Sequence, residues 1–329
     1  MNDLSKDVVN WLAVGEDGNG QRVDNYLAKI LKGVPKSHVY RILRSGEVRV
    51  NRQRVDPDRR LNIGDQLRIP PIRVSTPSRV RVAPAGGVGA LPPVLFEDDA
   101  LIALDKPAGL AVHGGSGISY GVIERMRRAQ PEARFLELVH RLDRDTSGVL
   151  LIAKKRATLV ALHAQLRDGA IDKRYLVLVR GTWRDKLRTV ELPLTTYVTR
   201  EGERRVRVDA QGRVARTVFR RIDTWPNGDR PVSLLEAELD TGRTHQIRVH
   251  LTHLGFPLAG DDKYGDFGWN RELARAGLRR MFLHAHRIAF VHPVSAARIE
   301  IEAPLASDLD AFIARLNAAR SGASDAFDR

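Results

Sequence analysis

The sequence predicts an α+β fold, a mixed and mostly antiparallel sheet with flanking helices, preceded by a small basic domain. Three observations carry the expectation. From Leu95 onward, apolar strand-like runs and helical stripes follow one another over roughly 210 residues without a regular strand-helix repeat, which argues against a doubly wound sheet. Residues 71–94 hold Pro71, Pro77, Pro84, Pro92 and Pro93 with Gly86, Gly87 and Gly89 and show no helical period, the composition of a linker. Before it, between Arg22 and Arg54, nine residues are basic and only Asp24 and Glu47 are acidic.

Along the chain, residues 1–18 are expected to form a flexible lead. In the unit that follows, 19–70, Val23, Tyr26, Leu27, Ile30 and Leu31 recur at i, i+3, i+4, i+7 and i+8, the spacing of one apolar helix stripe, and Gly33 ends it. A second helix opens near Pro35, carries Val39, Ile42 and Leu43 on one side and stops at Gly46. Val48, Val50, Val55, Leu67 and Ile69 then mark short strands. In the larger domain, 95–307, residues 101–104 and 149–153 read as strands, 157–167 as a helix stopped by Gly169, and 175–179, 214–222 and 234–239 as further strands. Ile247, Leu251 and Leu254 stand at i, i+4 and i+7 in a helix over 244–254 that Gly255 closes. Residues 308–329 are expected to be a last helix and a fraying tail.

At 329 residues the chain is long enough for a sizeable core or two domains. Its net charge of +14 and pI near 10.4 favour a polyanionic partner. Aromatics make up only 6%, too few for a long stacking platform. The absence of cysteine removes disulfides, thiolate nucleophiles and cysteine-bound metals, and fits a reducing cytoplasm. Met1 to Val14 has no basic segment ahead of an apolar core, so no signal peptide is expected, and no apolar run reaches the roughly 18 residues of a spanning helix. A soluble cytoplasmic protein, without membrane association and monomeric, is the expectation.

The stretch His140-Arg141-Leu142-Asp143-Arg144-Asp145-Thr146-Ser147-Gly148 sets a carboxylate among cations, turn-forming hydroxyls and a glycine, directly before an apolar strand. An aspartate there can simply cap a turn. Arg141, Arg144, Lys154 and Lys155 nonetheless crowd the segment with positive charge, which keeps a carboxylate ionised and able to act as nucleophile or base. Asp145 is the competing acid, but its place before Thr146 and Ser147 suits a turn better.

This segment resembles the central motif of the RluA-type pseudouridine synthases, His-Arg-Leu-Asp followed by Thr-Ser/Thr-Gly. The likeness continues in Lys106-Pro107-Ala108-Gly109, Lys173-Arg174-Tyr175, Thr241-Gly242-Arg243-Thr244-His245-Gln246-Ile247-Arg248 and Leu283-His284-Ala285, in the family's order. Val112-His113-Gly114-Gly115 and residues 134–153 look closest to the branch acting on the large ribosomal subunit, on 23S rRNA. Asp105 stands where relatives often have Asn. Arg22-Val23-Asp24-Asn25-Tyr26-Leu27 and Ser45-Gly46-Glu47-Val48-Arg49-Val50-Asn51 resemble an S4-type RNA-binding domain.

The resemblance implies isomerisation of uridine to pseudouridine in 23S rRNA or a large-subunit precursor. Asp143 would initiate cleavage of the N-glycosidic bond, at C1′ or through the C2′ proton, after which uracil turns and rejoins the ribose through C5. No cofactor or metal is implied, because the leaving base is also the incoming nucleophile. Tyr175 matches the family's active-site tyrosine and Arg248 its partner for the aspartate; otherwise they would read as a core strand aromatic and a solvated helix cation. Arg141 is a candidate to fill the gap left by a flipped uridine. His140, Lys173, Arg174, His245 and Gln246 are candidate substrate contacts, and Arg22, Lys36, Arg41, Arg44, Arg49 and Arg52 candidate RNA contacts.

Competing chemistry is poorly served. His250 and His253 stand three apart with no accompanying Glu, which disfavours a zinc site, and no P-loop Lys-Ser/Thr follows Gly114, Gly115 and Gly117. A noncatalytic ribosome-assembly factor would use the same basic surfaces. A nucleoside or glycoside hydrolase would use the same acid, but a small neutral substrate gives no purpose to nine cations in the first unit.

Overall fold

The computed structural model of the protein describes residues 8–31, 34, 36–72, 90–114, 120–200, 202–226 and 231–324. Gly33, Pro35, most of the expected linker, Gly115, Gly117 and residues 325–329 lie outside the described residues. The chain divides into two units, residues 1–87 and 88–329.

In the first unit, strand β1 (Asn10–Ala13) precedes helices α1 (Val23–Ile30) and α2 (Lys36–Arg44) and strands β2 (Arg49–Val50), β3 (Gln53–Arg54) and β4 (Gln66–Ile69). The strands form one antiparallel sheet in the order β1-β4-β2-β3. The apolar stripes expected for both helices pack as drawn: Val23, Tyr26, Leu27, Val39, Ile42 and Leu43 join Val50 and Leu67 from the sheet in one core. Gly46 ends α2 at φ +73, a backbone conformation a side chain would strain. The flexible lead needs correction. Asn10–Ala13 pairs with Gln66–Ile69, and Val14 is buried in the core beside Tyr26.

The second unit runs β5 (Val94–Glu97), β6 (Leu101–Lys106), α3 (Val122–Ala129), β7 (Glu137–Leu138), β8 (Ser147–Ala153), α4 (Arg156–Arg167), β9 (Asp172–Arg180) and β10 (Leu187–Glu191). It continues through β11 (Leu194–Val198), β12 (Arg204–Val208), β13 (Arg216–Trp225), β14 (Val232–Leu239), α5 (Gln246–His253), α6 (Phe267–Arg275), β15 (Leu283–Val291), β16 (Arg298–Glu302) and α7 (Ser307–Ser324). Ten strands make one sheet, ordered β10-β13-β14-β9-β15-β8-β6-β5, with β16 beside β15 and β7 beside β8. Every pairing is antiparallel except β15 with β8, which meet through His284 and Ser147 and through Ala285 and Gly148. The α+β expectation therefore holds.

Both faces of the sheet are covered, which explains the unbroken apolar run of β8: all seven of its residues are buried. Leu150 and Ile152 face one core with Tyr175, Val177, Phe219, Ile247 and Leu251. Leu151 and Ala153 face the other, against Leu159 and Leu162 of α4. Helix α7 is anchored through Leu309 and Phe312 against Leu178 and Trp225. Among the described residues, no helix is long and apolar enough to cross a membrane.

Candidate active site

Asp143 lies in the turn that feeds β8, and several unrelated contacts fix that turn. The carbonyl of Asp143 accepts from Thr146 N at 3.2 Å, while Thr146 and Ser147 are buried. Gly148 follows at φ +108, and a Cβ there would overlap the backbone of Ala285 on β15. Ser147 Oγ lies 2.8 Å from His284 Nδ1 and accepts from Arg280 Nη2 at 2.7 Å, so the hydroxyl proton goes to the histidine. Below the turn, the fully buried Lys106 donates through Nζ to the carbonyls of Pro107, Leu110 and Arg144 at 2.9, 2.8 and 2.9 Å. Burial pushes its amine down to about 7. Three acceptors for three protons favour the ammonium form, since a neutral amine would leave one carbonyl unmet.

Helix α5 supplies the partners of Asp143. Arg248 Nη1 donates to Asp143 Oδ2 at 3.1 Å, while Nε and Nη2 grip Asp261 at 2.8 and 2.7 Å. Asp261 is wholly buried and also accepts from the backbone of Lys263 and Tyr264. Burial opposes the Arg248 charge, yet the hydrogen bonds and charges of Asp261 and Asp143 more than offset it, and its pKa lies above the ordinary arginine value. The guanidinium also stands 5.1 Å from the Tyr264 ring centroid.

His245 precedes α5 in the left-handed region, φ 55 and ψ 21, which starts the helix at Gln246 rather than at the expected Thr244. Its Nε2 stands 3.7 Å from Asp143 Oδ2 and its Nδ1 2.8 Å from Tyr264 Oη. Tyr264 Oη already accepts from Val206 N at 2.9 Å, so its proton goes to Nδ1 and the tautomer assigned to His245 carries hydrogen on Nε2, toward the carboxylate. Burial lowers the His245 pKa despite the opposing charge of Asp143, which keeps the ring neutral at neutral pH.

A cleft of about 390 Å³ opens over these groups, lined by Asp143, Arg141, His113, His245, Arg248 and Lys263 among others. Deeper in, a recess of about 90 Å³ adds Tyr175, Leu239, Ile247 and Leu283. Asp143 is 30% exposed, so the acid is open to a ligand rather than interred. Arg141 is exposed and lines both spaces, and its side chain makes no hydrogen bond or ion pair with the described residues. Tyr175 is buried on β9, and burial together with the Asp143 charge pushes its phenol above the ordinary value. An anion, a planar cation and an aromatic floor thus converge on one accessible space.

Asp143, Tyr175, Arg248, Arg141 and His245 are brought together as the sequence suggests and Gln246 lines the recess beside them, but His140, Lys173 and Arg174 line neither space. Gln246 is buried with its amide spent: Oε1 accepts from Thr241 and from Arg243 N, and Nε2 donates to Arg216 O and to Thr217. His140 turns toward β8, where Nε2 accepts from Leu151 N at 3.2 Å, and burial lowers its pKa to about 4. Lys173 is buried and lowered in pKa by that burial. Arg174, on the face of β9 opposite Tyr175, is held by Asp172, Glu236 and Glu238. Asp261 and Tyr264 are the residues sequence reasoning missed; the one available signal is Asp261-Asp262, an acidic pair beside glycine in a basic chain.

In the first unit, Arg41, Arg44, Arg49 and Arg52 are exposed. Arg22 is tied to Asp24 at 2.8 Å and is the least available of the set, and the side chain of Lys36 lies outside the described residues. Among the described residues, no group of three His, Asp or Glu side chains is placed to hold a metal ion.

Comparison with known proteins gives a consistent outcome. Residues 100–253 match the RNA pseudouridylate synthase family and residues 21–67 the S4 domain. The ribosomal large subunit pseudouridine synthase C of Escherichia coli is 49% identical over 316 residues, covering 95% of this chain and 98% of the relative. The protein of that name from Haemophilus ducreyi is 48% identical over 312 residues, covering 94% and 96%. The solved structure of human RNA pseudouridylate synthase domain containing 1 superimposes with a TM-score of 0.55 at 23% identity, covering 71% of this chain and 97% of that one, a likeness of fold.

Proposed function

The chain belongs to the RNA pseudouridylate synthase family, and from that premise we propose that it isomerises defined uridines of 23S rRNA, with Asp143 as the group that opens the N-glycosidic bond. The observation that carries the reading is the 3.1 Å hydrogen bond from Arg248 to Asp143 at the floor of an open cleft. A carboxylate held by a charged donor is both ionised and aimed. In the reaction the N1–C1′ bond breaks, the detached uracil turns, C5 bonds to C1′, the C5 proton leaves and N1 gains one. Atoms are conserved overall.

Each neighbouring residue has a part in that sequence. Arg248 holds the Asp143 carboxylate in one orientation, and His245 presents its Nε2 3.7 Å from the same oxygen. Tyr175, with its phenol kept protonated, offers the ring as a stacking surface for the flipped base rather than acting as a base itself. Arg141, whose planar side chain is unpaired among the described residues, enters the stack where the uridine left. Arg41, Arg44, Arg49 and Arg52 contribute phosphate affinity from the S4 unit. We read the protein as a monomer working on RNA in the cytoplasm, the reducing compartment that a chain without cysteine fits.

The test is Asp143→Asn with RNA tritiated at uridine C5. Loss of tritium release with retained RNA affinity is expected. Retained release overturns the assignment of Asp143; no release by the unaltered protein on 23S rRNA favours a noncatalytic assembly factor; free uracil among the products indicates a hydrolase.

A further inference from the structure

The sheet of the first unit has an outer face of which the proposed function uses only Arg49. Trp11 on β1 lies opposite Arg68 on β4, Arg68 opposite Arg49 on β2, and Arg49 opposite Arg54 on β3. Residues directly opposite one another share a face, so the four side chains form one row across all four strands, about 14 Å from end to end at ordinary strand spacing. The adjacent residues Leu67 and Val50 point the other way, into the core with α1 and α2. The row therefore lies on the side of the sheet turned away from the helices that carry Arg41 and Arg44.

Two features make the row more than a solvated face. Trp11 is 54% exposed, whereas Trp183, Trp225 and Trp269 are buried to 4% or less. An indole left in water in the middle of a strand does not contribute to the core of this unit. The arginines, in turn, are positioned without being neutralised. Arg68 donates to Glu47 O at 2.6 Å, Arg54 to Ser45 O at 3.2 Å and Arg49 to Gly46 O at 3.4 Å, and among the described residues none of the three pairs with an acid. A Cβ at Gly46 would meet the Arg54 guanidinium, which lies against this turn. The Glu47 carboxylate accepts from Ser45 Oγ at 2.6 Å.

We propose that the row Trp11-Arg68-Arg49-Arg54 is a second RNA-binding surface, taking a single-stranded segment with one unpaired base stacked on Trp11 and its phosphates running along the arginines. Indole stacking is tolerant of base identity and needs an unpaired base, while the arginines read only the backbone. The site would hold a strand flanking the target uridine, and in that sense it rests on an RNA substrate for the catalytic unit.

Because Trp11 is the exposed tryptophan, the full-length chain reports on the site through its own fluorescence. A short single-stranded oligouridylate is expected to quench the exposed component of the emission, and the same strand paired with oligoadenylate is not. Trp11→Phe should lose the quench and keep the binding, and Trp11→Ala should weaken binding roughly 5- to 100-fold. Changing Arg49, Arg54 and Arg68 together to Gln should reduce the salt slope of binding by about 2. Absent binding, binding without quench, equal quench by the duplex, or a quench that survives in Trp11→Phe overturns the proposal. Tritium release separates this from the catalytic reading: Trp11→Ala should raise KM and leave kcat unchanged, and a chain that quenches but releases no tritium loses the isomerase assignment alone.

Discussion

Asp261 holds Arg248 with two hydrogen bonds, at 2.8 and 2.7 Å, from a position with no exposure to solvent. The arginine that reaches Asp143 is thus aimed by a second acid thirteen residues along the chain. Asp261→Asn keeps the volume and removes the charge. It should lower kcat about 100-fold, the scale of a misaimed reacting group, while RNA affinity stays close to that of the unaltered chain. Stability should fall by about 3 kcal/mol, because the buried Arg248 guanidinium loses the charged partner that takes two of its hydrogen bonds. Single-turnover tritium release, filter binding and urea denaturation check the three parts, and a drop in affinity without a drop in kcat refutes the positioning role.

The Arg141 side chain has no partner among the described residues, so removing it should leave the fold alone. Arg141→Ala is expected to keep the urea midpoint. On a uridine within folded RNA it should slow isomerisation by about 10- to 100-fold, since the vacated stack goes unfilled at a cost of a few kcal/mol. On a short unstructured strand carrying the same uridine the loss should be much smaller. Equal losses on both substrates would count against a role in flipping.

Lys106 ties three carbonyls into one knot, two in the turn after β6 and one, that of Arg144, beside Asp143. Lys106→Met fills the same space but leaves all three acceptors unmet. A loss of at least about 3 kcal/mol is expected by urea denaturation, given the cost of orphaned buried polar groups. Activity at temperatures where the variant is still folded should also fall, because the turn holding Asp143 loses its tether.

Two histidines make the second unit sensitive to acid. Burial lowers the pKa of His140 and of His284 to about 4, against an unfolded value near ~6.5. Below ~6.5 the unfolded chain takes up protons that the folded chain refuses, so the contribution is whole above that pH and is lost as pH falls toward 4. Each histidine accounts for roughly 3 kcal/mol across that window. Urea midpoints between pH 7.5 and pH 4.5 should decline, and His284→Gln should flatten the decline even if it lowers the midpoint at neutral pH. A pH-independent midpoint would refute the burial argument.

Much of the fold was legible because its signals are local. The stripes of α1, α2 and α4, and the apolar run of β8, depend on neighbours within a few residues. Strand β1 escaped because four residues of mixed character say nothing until Gln66–Ile69 comes to pair with them. Helices α3 and α6 and the hairpin of β11 and β12 escaped for the same reason, being short and rich in charge. At the site, Asp143 and Arg248 stood out through motif and chemistry, whereas Gln246 reaches the recess with its amide already bonded and Arg174 carried the right chemistry with the wrong neighbours. Their partners, Thr217 and Glu236, are set by strand register, and register is a property of the assembled sheet.

The lone parallel contact between β15 and β8 leaves the acid and its cation on opposite sides of a narrow seam, two residue pairs long. A gene severed in the connection between α4 and β9 would encode one fragment bearing Asp143 and another bearing Tyr175, Arg248 and Asp261. Neither piece holds a working set, so the enzyme is naturally suited to fragment complementation, with turnover recovered only when the halves find each other.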